Sequence, residues 1–281
     1  MISTVTVSYK TLDYVEKMLA SLFAHVDRDD LEVFVVINGD GSDPSELQRT
    51  YPRVRFIISE RNLGFAGGCN LAIRESTGAF VVLLNPDTVF TSDAITEIEE
   101  RMTRDTDAGI GGISLKNLDG SQQDCVWHFP TPIDQLLLLS KVPHVLPNLP
   151  PIRRYLMKGF DYRRTQDVDQ VMGAFFCIRR EVIDRVGTLD DGFFLWYEEV
   201  DYCKRTVDAG WKVRYYSDVS MLHRKGGSFS RVGTWKKQGM VRRSLRRYMK
   251  KHYGIAVWTV FVVLDPIFYV LAFLASLIKP S

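Results

Sequence analysis

Short apolar runs alternate with amphipathic segments through the first third of the chain. The runs predict buried β-strands at Ile2–Val7, Glu32–Ile37, Val54–Ile58 and Phe80–Leu84. After the first strand, apolar residues recur at helical spacing, at Leu12, Val15, Leu19 and Leu22. A further helix is predicted over Phe65–Glu75. This strand–helix–strand order indicates an α/β fold with a mostly parallel central sheet.

The pattern becomes irregular in the middle of the chain and is regular again beyond it. Residues 126–169 contain six prolines around a leucine run, which predicts an irregular insertion. A strand at Val171–Ile178, a helix from Glu198 to Ala209 and a strand at Lys212–Tyr216 are predicted next. Ligands of open parallel sheets bind beyond the carboxyl ends of the strands, so the loops that follow the strands form the predicted binding edge.

Composition excludes some classes of protein. The 281 residues carry a formal net charge of only +2, and 46% hydrophobic content is ordinary for a globular chain. The four cysteines are far apart in sequence, so a zinc ribbon or a CxxC redox motif has no support. The chain opens directly into a predicted strand without the pattern of a signal peptide, so we expect a cytoplasmic catalytic part with reduced thiols.

The last fifty residues have a different character. Lys236–Lys251 contains eight Lys or Arg residues and no acid, with one apolar helical face at Val241, Leu245, Tyr248 and Met249. Basic residues are attracted to the anionic headgroups of a membrane leaflet. Because Lys- and Arg-rich segments lie on the cytoplasmic side of membranes, we expect this segment at the cytoplasmic face. Nucleic-acid binding could use the same charge, but basic and aromatic residues do not alternate here as they do in such proteins.

The apolar segment Ile255–Ile278 is 24 residues long and is interrupted by Asp265-Pro266. As one helix it would extend about 36 Å, enough to cross a ~30 Å hydrocarbon core. Asp265 near its centre would cost roughly 2.5–3.5 kcal/mol, and Pro266 would kink it. We therefore expect two short interfacial helices or a re-entrant hairpin in preference to a single span, with a hairpin packed on the core as a further alternative.

Two loops carry candidate chemistry. The strand ending at Leu84 delivers Asn85-Pro86-Asp87 to the predicted binding edge, where a carboxylate and phosphate oxygens could together hold a divalent cation. A simple turn or helix cap explains the same residues equally well. The glycine-rich loop Asn62–Asn70 lies between a strand and a helix, where phosphate binds favourably. It lacks GxGxxG spacing and follows the third strand, so a dinucleotide fold is disfavoured.

An ordered set of motifs covers roughly residues 1–230: Val7–Tyr9, Asn62–Asn70, Leu83–Asp87, Val171–Phe175, Val186–Asp190, Phe193–Arg205, Ala209–Val213 and His223. In this order they resemble family-2 glycosyltransferases, within them the bacterial rhamnosyltransferase-like branch. The resemblance implies a GT-A, Rossmann-like nucleotide-binding domain over residues 1–230, with residues 126–169 as an acceptor-side insertion. Residues 231–281 would then be a membrane-associated helical appendage.

The resemblance also implies roles for individual residues. Asp87 matches the metal-binding end of the family's DxD motif, and His223 matches the histidine that completes a Mg²⁺ or Mn²⁺ and diphosphate site. Glu198 and Glu199 match the acidic pair that supplies the general base. We favour Glu199 as the base and Glu198 as a supporting or acceptor contact; two plain helix-start acids are the alternative. Asp201 is expected to pair with Arg205 one helical turn on.

Nucleotide and acceptor contacts follow from the same motifs. The predicted donor-site residues are Ser8, Tyr9, Asn38, Asp40, Asn62, Gly64, Phe65, Gly67, Asn70 and Asn85. Ile37 occupies the place where the family has an acid that contacts the base, and Asp40 is the expected substitute after a one-residue shift. The predicted acceptor-side residues are Trp196, Tyr197, Arg153 and Arg154.

The function that the resemblance implies is inverting transfer of L-rhamnose from dTDP-β-L-rhamnose to a polyprenyl-diphosphate-linked saccharide. The reaction would occur at the cytoplasmic face of the cell membrane, in cell-wall or surface-polysaccharide assembly. A UDP-sugar donor is an alternative, as is a non-catalytic membrane-bound scaffold of the same fold. A nucleotide-sugar oxidoreductase is disfavoured because the dinucleotide fingerprint is missing.

Overall fold

A computed structural model describes residues 1–224, 226 and 234–278. The predicted domain boundary at residues 230–231 lies outside the described residues. The strands are β1 (Ile2–Ser8), β2 (Leu31–Asn38), β3 (Val54–Ser59), β4 (Phe80–Leu84), β5 (Thr88–Val89), β6 (Ala108–Lys116), β7 (Val126–Trp127), β8 (Gln166–Val168), β9 (Gln170–Val171), β10 (Phe175–Arg179) and β11 (Lys212–His223). The helices are α1 (Leu12–His25), α2 (Ser45–Thr50), α3 (Gly64–Glu75), α4 (Ala94–Arg104), α5 (Pro132–Leu139), α6 (Pro150–Tyr155), α7 (Arg180–Val186), α8 (Glu198–Asp208) and α9 (Thr234–Ile278).

The central sheet has the strand order β3-β2-β1-β4-β10-β6-β11-β5, with β8 added beside β11. Strands β3, β2, β1 and β4 are parallel, and β11 is parallel to β6. Strand β10 is antiparallel to both of its neighbours, β4 and β6. The predicted α/β sheet is therefore confirmed, and its reversed strand brings the amino end of β10 to the same edge as the carboxyl ends of β4, β6 and β11.

Buried side chains of the sheet and its helices form one main hydrophobic core. On α1, the predicted apolar positions Val15, Leu19 and Leu22 are buried in it. Strands β1 and β4 are buried along their whole length, which explains their continuous apolar runs. The first four predicted strands agree with the structure to within one residue at either end.

Several strands differ from the sequence-based expectation. The single strand predicted over Val171–Ile178 is wrong: β9 pairs with β7 in a separate two-stranded sheet, and β10 belongs to the central sheet. The short strands β5, β7 and β8 were not predicted. Strand β6 was not predicted because three of its nine residues are glycines, which are rare in strands. They are needed for packing: a Cβ on Gly111 would lie 2.8 Å from the sulfur of Met102, and one on Gly112 would lie 2.6 Å from Cβ of Val171. Strand β11 runs on to His223, past an irregularity in register between Tyr216 and Ser220. The polar residues at that irregularity resemble a strand end in the sequence.

The insertion over residues 126–169 is more ordered than predicted. It contains strand β7, helices α5 and α6, a short 3₁₀ helix at Val142–His144 and strand β8. Pro132 and Pro150 start helices instead of breaking them, because they occupy first-turn positions whose N–H groups have no helical partner. Helix α5 also has a reciprocal cap between Thr131 and Asp134.

Helix α9 is two helices that meet at Gly254, where φ is 86° and ψ is 178°. We call residues 234–253 the basic arm and residues 255–278 the apolar arm. The apolar arm continues as a helix through Pro266, so the expectation of a break there is wrong. Asp265 lies inside the hairpin between the arms, where its carboxylate is paired with Arg242 and Arg246 of the basic arm.

Candidate active site

Asp87 and His223 come together at the sheet edge because strand β5 pairs with the end of β11. His223 lies opposite Thr88 in this pairing, and the backbone N–H of Arg224 donates to the carbonyl of Asp87 at 2.9 Å. The imidazole Nε2 of His223 is 3.5 Å from Oδ1 of Asp87, and both side chains are buried. The two predicted metal ligands are therefore adjacent.

Gln123 fixes the orientation of His223, and nothing in the sequence pattern pointed to it. The side-chain Nε2 of Gln123 donates to the carbonyl of His223 at 2.6 Å and to Oδ1 of Asn117 at 2.8 Å. Its Oε1 therefore faces the imidazole Nδ1 of His223, 2.9 Å away, and accepts a hydrogen bond from it. In the neutral ring, the lone pair of Nε2 then points toward the Asp87 carboxylate. Two facing acceptors need a cation or a proton between them, which fits a metal site.

The protein would supply two ligands to such a cation. Within residues 1–224, 226 and 234–278, no three His, Cys, Asp or Glu side chains gather into a metal-binding cluster. Mg²⁺ commonly takes only one or two protein ligands when substrate phosphates complete its coordination. The donor set of Asp87 and His223 fits that arrangement.

Glu198 and Glu199 begin helix α8 directly after two residues with left-handed backbone conformation. Trp196 has φ 64° and Tyr197 has φ 72°, a conformation that non-glycine residues rarely adopt and that concentrates at functional sites. Within the described part of the chain, Oε2 of each glutamate is buried and has no hydrogen-bond partner. Such orphaned carboxylate oxygens are unusual in folded proteins and are expected where a ligand binds.

The environments of the two glutamates differ. Glu198 is buried, whereas Glu199 is partly exposed to the cleft. Burial, and then the charge of Glu199, raise the pKa of Glu198 well above 4.5. Burial also raises the pKa of Glu199. Two close carboxyls in a poorly solvated site do not both ionise readily, and burial favours the protonated form of the deeper Glu198.

These four side chains line a single cavity of about 290 Å³. The other residues of its wall are mostly apolar or small: Phe65, Asn85, Trp127, Met172, Gly173, Ala174, Leu195, Trp196 and Gly226. The cavity thus has a cation-binding pair and an acidic pair, with Trp127 and Trp196 as aromatic surfaces. This is the usual composition of a small-molecule site, in which a few polar groups converge in an apolar cleft.

Of the predicted donor-site residues, Phe65 and Asn85 line this cavity, and others hold the glycine-rich loop in shape. Asn38 accepts from the backbone N–H of Leu63 and donates to the carbonyl of Gly64, both at 2.9 Å. Asn62 accepts from the N–H of Gly64 at 2.8 Å. Gly64 has φ 73°, and a Cβ there would lie 2.2 Å from the carbonyl oxygen of Phe194. The loop is therefore pressed against the segment that leads to Glu198.

The remaining predicted donor-site residues lie outside this cavity. Asn70 is buried and clamps Leu189, donating to its carbonyl at 2.8 Å and accepting from its N–H at 3.1 Å. Gly67 is on α3, where a Cβ would lie 2.9 Å from Cβ of Leu63. Three more are near the carboxyl ends of β1 and β2, the expected nucleotide edge, namely Ser8, Tyr9 and Asp40. Asp40 accepts hydrogen bonds from the backbone of Lys10 and Ser42, which ties those two strand ends together.

The predicted acceptor-side residues are not brought together. Trp196 lines the cavity, whereas the ring of Tyr197 is buried outside it and its hydroxyl donates to Oε1 of Gln135 at 2.9 Å. Arg153 and Arg154 are exposed on α6 and do not line the cavity. Arg154 forms an ion pair with the buried carboxylate of Asp134, so its contact is structural.

The basic arm contacts the residues on either side of Glu198 and Glu199, a feature that the sequence did not reveal. The hydroxyl of Ser244 donates to the carbonyl of Leu195 at 2.8 Å. Lys251 and His252 donate to the carboxylate of Asp201, at 2.9 and 2.8 Å. The predicted pair of Asp201 with Arg205 is present, at 2.8 Å. We call Ser244, Lys251 and His252 the brace.

A second hydrophobic cluster surrounds the brace. It joins the segment before and within α8 to both arms, through Phe193, Tyr197, Val200, Leu245, Tyr248, Met249 and Phe261. The predicted apolar face of the basic arm is therefore real, but it contacts protein. Since Asp201 follows Glu198 by less than one turn, these contacts fix the start of α8 and the direction of its acidic pair.

Curated relatives are similar over most of their length. The N-acetylglucosaminyl-diphospho-decaprenol L-rhamnosyltransferase of Mycobacterium tuberculosis is 27% identical over 248 residues, which is 82% of this chain and 78% of the relative. The rhamnosyltransferase WbbL of Escherichia coli is 24% identical over 242 residues, or 79% of this chain and 83% of the relative. The predicted resemblance to the rhamnosyltransferase-like branch is thus confirmed.

A solved structure and a family model agree with this. The crystal structure of GalNAc-T7 with UDP, GalNAc and Mn²⁺ has a TM-score of 0.62 at 13% identity and covers 88% of this chain, so the predicted GT-A fold is confirmed. This chain spans 47% of that protein. The model of glycosyl transferase family 2 matches residues 3–187. That match covers more than half of the sequence, and the chain therefore belongs to glycosyl transferase family 2.

Proposed function

We propose that this chain is a metal-dependent inverting glycosyltransferase that moves L-rhamnose from dTDP-β-L-rhamnose to a polyprenyl-diphosphate-linked saccharide. The observation that carries the proposal is the shared cavity. Asp87 and His223 lie on its wall together with Glu198 and Glu199, so a leaving group and an attacking hydroxyl can meet within it. A non-catalytic scaffold would not need two orphaned carboxylate oxygens facing such a cleft.

The reaction assigns each pair one task. Glu199, the more accessible acid, takes the proton from the acceptor hydroxyl as its oxygen bonds to the anomeric carbon and the bond from that carbon to the nucleotide diphosphate breaks. Protonated Glu198 limits the negative charge beside it. Asp87 and His223 would hold Mg²⁺ or Mn²⁺, which when bound neutralises charge on the departing diphosphate. A single displacement of this kind inverts the anomeric carbon.

The donor and acceptor are supported by the wall of the cavity and by the named relatives. The apolar surfaces of Phe65, Trp127 and Met172 suit the methyl group of a 6-deoxyhexose. The Mycobacterium tuberculosis and Escherichia coli relatives are both named rhamnosyltransferases, and the first acts on a decaprenyl-diphosphate-linked sugar. The GalNAc-T7 structure contains Mn²⁺, which favours a divalent ion here.

The named relatives and the C-terminal helix favour a reaction at the cytoplasmic face of the cell membrane, in cell-wall or surface-polysaccharide assembly. Among the described residues, one helical stretch, Lys237–Leu274, is long and apolar enough to cross a membrane by length and composition. We assign residues 1–230 to the catalytic domain and residues 231–281 to a peripheral or monotopic membrane-binding appendage.

The experiment is a donor panel with purified full-length protein. Release of nucleoside diphosphate from dTDP-rhamnose, UDP-sugars and GDP-sugars is measured with and without a lipid-linked N-acetylglucosamine acceptor, in Mg²⁺, Mn²⁺ or chelator. We expect dTDP release that requires both acceptor and metal, and its loss in Asp87→Asn. Release from a UDP-sugar alone would overturn the rhamnosyl assignment, and no release from any donor would overturn catalysis.

A further inference from the structure

The apolar arm presents one continuous hydrophobic stripe outward. Its members recur every three or four residues from Val260 to Leu274 and are between 44% and 67% exposed: Val260, Val263, Ile267, Val270 and Leu274. The opposite side of the same helix contains the buried rings of Phe261 and Phe268. The stripe therefore runs parallel to the helix axis, and only one side of the arm is available to a partner.

The inner side of the arm is tied at its midpoint to a buried charge cluster. The guanidinium of Arg242 is 1% exposed and donates to Oδ1 of Asp265 at 3.0 Å and to the carbonyl of Phe268 at 2.9 Å. It also lies 4.0 Å from the centre of the Tyr269 ring. Arg246 pairs with the other carboxylate oxygen of Asp265. These contacts hold the two arms together as a closed hairpin.

A closed hairpin cannot cross a bilayer. Asp265 is ten residues past the start of the apolar arm, so in a spanning helix it would lie about 15 Å deep, at the membrane centre. Arg242 and Arg246 would have to follow it there, yet their helix is fixed to the catalytic domain by Leu245, Tyr248 and Met249. Charged groups at that depth are strongly disfavoured.

We propose that the apolar arm lies flat on the surface of an anionic lipid bilayer, immersed along its stripe, and does not cross the membrane. A lipid surface fits the stripe because it is flat, apolar and as long as the helix. Exposed Arg243 and Lys250 on the basic arm add attraction for anionic headgroups. This inference rests on the proposed function, in which the acceptor is bound to a membrane. The contact with lipid can be measured without any enzyme turnover.

The test measures depth at three positions along the stripe. Single-cysteine variants Val260→Cys, Ile267→Cys and Leu274→Cys are labelled with a small environment-sensitive fluorophore. The four native cysteines are buried, so wild type serves as the labelling control. Each protein is reconstituted by detergent removal into vesicles that contain equal amounts of phosphatidylglycerol and phosphatidylcholine. This procedure allows the apolar arm either to lie on the bilayer or to cross it. Quenching by lipids spin-labelled near the headgroup or near the chain end then gives depth.

We expect all three probes at one shallow depth, within about 5 Å of each other. A spanning helix would separate the first and last by about 21 Å along the bilayer normal, and that gradient would overturn the proposal. Vesicles of phosphatidylcholine alone should bind at least tenfold more weakly. Probes that no lipid quenches, with a dimer on sizing, would instead identify the stripe as a contact between copies and also overturn it.

The Asp265→Asn variant tests the cause of the flat orientation. Loss of the carboxylate charge should weaken closure of the hairpin and move the Leu274 probe deeper, while Asp208→Asn, on the surface of α8, should leave it unchanged. An unaltered depth in Asp265→Asn would show that the charge cluster does not set the orientation. Because none of these readings needs a donor, they can succeed or fail independently of the rhamnosyl transfer.

Discussion

The brace makes Asp201 the most informative residue to change outside the cavity. Its carboxylate is fully buried and accepts hydrogen bonds from Arg205, Lys251 and His252. Asp201→Asn keeps the size of the side chain and removes its charge. Breaking a buried ion pair by removing one partner costs about 3–5 kcal/mol. Arg205 and Lys251 are 20% and 32% exposed and can turn toward water, so we expect the lower end, about 3 kcal/mol.

That loss should lower Tm by roughly 6–12 °C, because each kcal/mol shifts a domain of this size by about 2–4 °C. The assay is a thermal melt of purified full-length protein in detergent, followed by circular dichroism. Asp208→Asn is the matched control, since Asp208 pairs with Lys204 on the exposed side of the same helix at 3.1 Å. Surface pairs are worth at most about 1 kcal/mol. Equal melting of the two variants would refute the brace.

The pH dependence gives a second check on Asp201. Burial alone would raise its pKa, but hydrogen bonds from His252 and Lys251 and the charge of Arg205 bring the pKa below 3.8. A carboxyl with a lowered folded pKa stabilises the fold above its unfolded pKa and loses that contribution as pH falls. The difference in Tm between wild type and Asp201→Asn should therefore shrink below about pH 4. A difference that stays constant to pH 3 would contradict this account.

Further predictions concern the acidic pair, the residue that orients His223 and one arginine that lies outside the cavity. Glu199→Gln should lower kcat by about two to four decades with donor affinity nearly unchanged; a larger loss in Glu198→Gln would reverse the assigned roles. Because burial raises the pKa of Glu199, the acidic limb of the kcat–pH profile should lie above pH 4.5. Gln123→Leu should raise the Mn²⁺ concentration for half-maximal activity by about 10–100-fold, since it removes the partner that orients a ligand; an unchanged metal requirement would remove Gln123 from the site. Arg153→Ala should raise the KM for lipid-linked acceptor and leave the KM for donor alone, whereas equal values for both proteins would exclude Arg153 from acceptor binding.

Local patterns were sufficient for much of the fold. Strands β1 to β4 could be predicted from their apolar runs, which in β1 and β4 reflect burial along the whole strand. Helix α8 could be predicted because amphipathic helices keep a regular spacing. Strand β6 could not, because close packing by Met102 and Val171 selects glycine there, and glycine carries no strand signal. The extension of β11 to His223 was hidden by polar residues at its irregularity in register.

Contacts between distant residues were beyond the sequence. Asn38 and Asn62 match a nucleotide-binding motif, yet their amides fasten the backbone of the loop before α3. Gln123 is a hundred residues from His223, and no local pattern connects them. Asp265 seemed an obstacle to one apolar helix because the break was expected at Asp265-Pro266. The chain bends at Gly254 instead, which brings Arg242, twenty-three positions earlier, beside Asp265.

The brace follows the acidic pair in the sequence, so the two parts of the site are synthesised at different times. Glu198 and Glu199 leave the ribosome some fifty residues before Lys251 and His252, so a growing polypeptide contains the acids without the helix that aims them. A fragment that lacks residues 236–281 should therefore lose glycosyl transfer, and a fragment that stayed fully active would contradict this.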